Sequence, residues 1–144
     1  MYFYTVISSV RFLNPDRANK KIYRLRYKII HTMFANTPKP PYYAVIFTSE
    51  RTYTENSYSD MAQKLEELAK QQEGFLGIES AREGLGITIS YWKDLESIKK
   101  WKINNEHQLA QQKGKTDWYK NYKTRICLVE RDYEFIKLYD KENV

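Results

Sequence analysis

The chain has 144 residues and 17.3 kDa, enough for one ordinary domain, and its 42% apolar and 29% charged residues exclude a collagen-like or polyelectrolyte chain. No apolar run reaches the roughly 18 residues of a membrane helix, and the start lacks a secretory-signal pattern. The single cysteine, Cys127, excludes an internal disulfide and a Cys-rich zinc site, and it fits a reducing cytoplasm.

The net charge of +6 would suit a nucleic-acid partner, but its distribution argues against one. Residues 1–40 hold eight basic groups and one acid, Asp16, whereas residues 41–144 hold 16 basic and 17 acidic groups. The basic excess therefore sits in an N-terminal extension, and the body offers no basic groove. Pro38, Pro40 and Pro41 stiffen its end into an extended linker. Residues 1–40 are expected to be a weakly ordered arm. Counting from Met33 the chain is neutral, so Met33 is an alternative start.

The body begins with a strand over Tyr42–Thr48, YYAVIFT, rich in aromatic and β-branched residues. Residues 49–56 read as loop. Ser57, three residues before Asp60, is expected to cap a helix whose apolar stripe is Met61, Leu65, Leu68 and Ala69, with Gly74 closing it. A second strand spans residues 75–82. After a turn bracketed by Gly84 and Gly86, a third strand alternates Leu85, Ile87, Ile89 and Tyr91 on one face with Thr88, Ser90 and Trp92 on the other.

Asp94 caps the next helix, with Leu95, Ile98, Trp101 and Leu109 as its inner face. Asn104-Asn105-Glu106-His107 interrupts the stripe, so this helix bends or restarts there. Gly114 is expected to end it, residues 117–122 to form a short aromatic helix or turn, and residues 124–133 the last strand. Residues 136–144 read as a polar tail. The order is βαββαβ, an α+β ferredoxin-like fold with an antiparallel sheet and both helices on one face. The other face is too apolar to stay in water, which predicts a homodimer closing sheet against sheet.

The blocks PPYYAVIFTSERT, QQEGFLGIESARE, GITISYW, SIKKWKINNEHQLAQQKG and WYKNYKTRICLVERDY, in this order, resemble the antibiotic biosynthesis monooxygenase (ABM) domain family over about residues 37–135. The resemblance implies a dimeric α/β barrel and a cofactor-independent oxygenase, needing no metal, flavin or haem, that holds an aromatic or phenolic small molecule as its anion for reaction with dioxygen. It further implies Trp92 and Trp101 as a pocket wall, His107 as proton acceptor, and Tyr91, Trp118 or Arg125 as anchors; the residues by themselves equally fit a plainer arrangement, with Trp101 in the core and His107 capping or bonding a backbone carbonyl at the helix bend. A non-catalytic ligand-binding or stress-related dimer of the same fold is the alternative.

Haem-degrading relatives use an Asn in the first strand, a Trp on the second helix and a His ten residues later. Here Trp101 matches, the strand has no Asn, and position 111 is Gln, which is no ordinary iron ligand. No His/Cys/Asp/Glu cluster has metal-ligand spacing, and no phosphate loop or nucleophile elbow occurs. The expected partners are thus a second copy and a small aromatic molecule, without membrane or nucleic acid.

Overall fold

The aromatic and β-branched run from Tyr42 builds β1, Tyr42–Arg51, a central strand of an antiparallel sheet. A computed structural model describes residues 34–135, and all but the first of these belong to one compact unit, Ala35–Val144. Most of the basic extension, the alternative start at Met33 and the tail 136–144 lie outside the described residues. After β1 come α1 (Tyr58–Lys70), β2 (Phe75–Arg82), β3 (Leu85–Trp92), α2 (Leu95–Lys102) and α3 (Asn105–Lys113). A π-helical turn, Gly114–Trp118, then leads into β4, Tyr119–Val129. The strand order is β2-β3-β1-β4 with every pair antiparallel, which is the ferredoxin-like fold with its second helix split in two.

Register assigns the two faces. Tyr43, Val45, Phe47 and Ser49 align with Trp92, Ser90, Thr88 and Gly86 of β3 and with Leu128, Ile126, Thr124 and Tyr122 of β4. This face carries the helices, because Trp92 stacks on Trp101 of α2, and Phe47 packs edge-on to Tyr119, which in turn packs edge-on to Tyr58 of α1. A Lys64–Glu106 ion pair at 2.6 Å joins α1 to α3. The opposite, open face aligns Ala44, Ile46 and Thr48 with Tyr91, Ile89 and Ile87, and Leu85 and Ile87 there are 55% and 39% exposed. The expected alternation in β3 is therefore what the sheet uses.

Several local expectations are corrected. β1 runs on through Ser49, Glu50 and Arg51 because polar partners satisfy them inside the ladder: Arg82 donates to Ser49 Oγ, and Lys120 and Asn121 donate to Glu50. Ser57 has a left-handed backbone (φ 62°) and makes no capping bond; the Glu55 carboxylate instead accepts from the Ser59 backbone N–H. Leu95 and Leu109 are 51% and 55% exposed, and the inner positions are Ser97, Ile98, Trp101 and Ala110. The α-helix ends at Lys113 with Gly114 as its C-cap, as expected, but a π-helical turn follows in place of an aromatic helix over 117–122, and β4 starts at Tyr119 and ends at Val129.

Two expectations hold in atomic detail. The Asp94 carboxylate accepts from the Ser97 N–H at 2.7 Å and from its hydroxyl at 2.8 Å. The second helix restarts at Asn104, whose side chain accepts from the Glu106 and His107 N–H groups. Gly74 adopts φ 79°, and a β-carbon there would collide with Ser97 Oγ, so a glycine is required beside that cap. The two caps make a paired test. Asp94→Ala should lower stability by about 1 kcal/mol in urea unfolding, whereas Ser57→Ala should change it by less than about 0.5 kcal/mol.

Candidate functional site

The end of α2 determines what surrounds it. The helix stops at Lys102, so the Trp101 carbonyl has no partner four residues on and accepts instead from the Asn104 N–H at 3.2 Å. Its remaining lone pair meets His107 Nδ1 at 2.9 Å. A carbonyl only accepts, so Nδ1 carries the hydrogen and Nε2 keeps its lone pair. Asn104 holds the His107 backbone from the other side, accepting its N–H at 3.3 Å. The imidazole lies on the Trp101 indole, with ring centroids 4.5 Å apart and planes 17° from parallel.

Trp101 in turn stacks on Trp92 at 6.2 Å, and Phe75 meets Trp92 edge-on at 5.3 Å. Trp92 is fully buried, and its indole N–H is satisfied by Ser90 Oγ at 2.9 Å. Two strands and two helices thus contribute one continuous aromatic run ending in a half-buried imidazole. Burial holds the His107 pKa below its ordinary value, against the opposing pull of the Trp101 carbonyl. The ring is neutral at pH 7, and its unprotonated nitrogen is a base of fixed orientation.

Of the six residues singled out from the sequence, the structure gathers Trp92, Trp101 and His107. Tyr91 lies on the open face, where its hydroxyl donates to Glu79 Oε2 at 3.0 Å and its ring meets Tyr42 edge-on. Burial, and then Glu79, push its pKa up to about 12, so it stays a phenol. Arg125 pairs with Ile46 on the same open face and is exposed. Trp118 is 2% exposed, donates to the Asn56 carbonyl at 3.1 Å and packs against Tyr58, away from the imidazole. Gln111 donates to the Lys102 carbonyl at 3.2 Å, a second seal on the helix break.

Sequence reasoning missed Phe75 and the capping role of Asn104, although an Asn before Glu-His after an interrupted stripe is the signal for that cap. Among the described residues, no group of three or more His, Cys, Asp or Glu side chains is placed to hold a metal ion, and no helix is long and apolar enough to cross a membrane.

No protein-family model matches the chain. The uncharacterised Bacillus subtilis protein YqjZ is 45% identical over 103 residues, covering 70% of this chain and 90% of that one. Among solved structures, PA3566 from Pseudomonas aeruginosa aligns with a TM-score of 0.54 at 13% identity, over 67% of this chain and 99% of that one. SnoaB, a cofactor-independent oxygenase from Streptomyces nogalater, aligns with a TM-score of 0.53 at 9% identity, over 68% and 100%. At those identities the two structures establish the fold.

The depressed histidine pKa has a stability consequence. The folded state disfavours the imidazolium, so as pH falls the unfolded chain binds the proton first, and stability drops below about pH 6.5. The urea midpoint should fall between pH 7.5 and 5.5, and His107→Gln should flatten that fall. Carboxylates such as Asp94, held below their ordinary range by hydrogen bonds from Ser97, titrate at lower pH and do not interfere.

Proposed function

The chain belongs to the family of the Bacillus subtilis protein YqjZ, and on that premise we propose that it is an ABM-type, cofactor-independent oxygenase acting on a phenolic small molecule, with His107 as its base. The observation that carries this reading is the hydrogen bond from His107 Nδ1 to the Trp101 carbonyl. It fixes the tautomer and leaves Nε2 as an acceptor backed by an aromatic surface. An aromatic ring presented to that surface is held by stacking, and its hydroxyl proton passes to Nε2. The resulting phenolate is the electron donor to dioxygen, and the surrounding indoles limit water at the reacting carbon. The fold shared with SnoaB supports the reading at the level of architecture.

In this reading two copies close their open sheet faces on each other, covering Leu85, Ile87 and the exposed Cys127, and the dimer works in a reducing cytoplasm. Tyr91 and Arg125 then belong to the interface between copies. Trp118 seals the far end of the helix layer.

A second reading has its own observation. Phe75, Trp92 and Trp101 occupy much of the space between sheet and helices, which favours a dimer that binds a ligand without transforming it.

A panel of hydroxylated aromatic compounds, screened by thermal shift and then by oxygen consumption, separates the two. Oxygenase function predicts uptake that falls about 100-fold or more in His107→Ala with the fold intact by circular dichroism. It also predicts a wild-type rate that drops only on the acid side of the depressed His107 pKa. Binding without oxygen uptake supports the second reading, and an unchanged rate in His107→Ala removes the histidine from the mechanism.

A further inference from the structure

All four strands also meet at the opposite end of the sheet. Arg51 ends β1, Arg82 ends β2, and Lys120 stands near the start of β4, beside the hairpin residues Glu83 and Gly84. Arg82 lies level with Gly86, six residues along β3 from Trp92, roughly 20 Å at about 3.3 Å per residue. The residues border a hollow of about 410 Å3.

Its charges are not equally committed. Lys120 is paired with Glu50 at 2.9 Å, and Asn121 donates to the same carboxylate at 3.0 Å. Arg51 is paired with Glu55 at 3.1 Å, bonds the Thr54 carbonyl and lies over the Tyr58 ring at 3.6 Å. Its Nε is buried and has no hydrogen-bond partner among the described residues.

Arg82 differs from both. Its guanidinium lies across Gly86, where a β-carbon would collide with it, and donates to Ser49 Oγ at 2.7 Å and to the Ser49 carbonyl at 3.4 Å. Ser49 is 1% exposed, so the guanidinium is anchored to the sheet on one side. Among the described residues it pairs with no carboxylate, and it retains donors for an anion.

We propose that this hollow is a binding site for a small organic acid, held through its carboxylate by Arg82. A planar fork with unused N–H donors matches a carboxylate in bidentate geometry. Glu55 and Glu50 are taken up by Arg51 and Lys120, which leaves Arg82 as the guanidinium with free donors; because the lining sums to zero once Glu83 is counted, a carboxylate monoanion is opposed less than a phosphate dianion. The volume exceeds that of a carboxylate group, which leaves room for a ring or chain attached to it. The site uses none of Trp92, Trp101 or His107, and it stands whether or not the oxygenase reading does.

Calorimetric titration of the full chain with benzoate, its neutral analogue benzamide and inorganic phosphate tests the proposal. Benzoate should bind saturably and weaken with added salt, and benzamide should bind about tenfold more weakly or worse. Arg82→Gln should weaken benzoate by about tenfold or more, with circular dichroism unchanged, while Lys93→Gln at an exposed site leaves it unaltered. No saturable benzoate binding, equal binding of benzamide, tighter binding of phosphate, or undiminished binding in Arg82→Gln would overturn the proposal.

Discussion

The early stop of α2 at Lys102 organises the helix face. An unbroken helix would tie the Trp101 carbonyl to the N–H four residues later and close it to side chains. The stop frees it, Asn104 caps the restarted helix, and the carbonyl becomes the acceptor that orients His107. Trp101 also stacks on Trp92 and carries the imidazole on its ring, so His107 is stacked as well as hydrogen-bonded. Gln111 seals the adjacent Lys102 carbonyl. Freed backbone groups at a helix end need partners, and here the partners are polar side chains of the following turn and helix.

The sheet presents this arrangement with unlike faces and unlike ends. On the open face, Tyr91 and Tyr42 are tied to acids rather than to a pocket. Tyr91 donates to Glu79, which also accepts from the Ala35 N–H at 2.8 Å, and Tyr42 donates to Asp132 at 3.0 Å while accepting from Thr37. The segments at residues 35–37 and 132 are thereby pinned to that face at the Tyr42 end, leaving Leu85 and Ile87 uncovered at the other. On the helix face, one end holds indoles and a neutral base and the other holds guanidinium groups. The two ends offer different chemistry on one rigid ladder.

Much of this was legible in the sequence. Period-two alternation at Leu85–Trp92, the Asp94 cap and the interrupted stripe at Asn104 act through neighbours close in the chain, and pattern reads such effects well. The pairing of Trp101 with His107 was also within reach, being six residues apart. What stayed hidden depends on distant partners. Ser49, Glu50 and Arg51 look like loop until Arg82, Lys120 and Asn121 arrive from two other strands. Leu95 and Leu109 look inward by composition, yet Leu95 sits at the first position of α2 and Leu109 lies beyond the helix break, and both are exposed. The arginine hollow has no local motif. Its one signal is Gly86 opposite Arg82, and that juxtaposition requires the hairpin register.

The central claim is that the helix break fixes the protonation pattern of His107. Long-range proton–nitrogen correlation of the histidine rings reads this directly, and a His31→Gln variant leaves His107 as the sole signal. At pH 7 the account predicts a neutral ring with hydrogen on Nδ1 and a bare Nε2. A ring protonated on Nε2 alone, or an imidazolium, at that pH would contradict it.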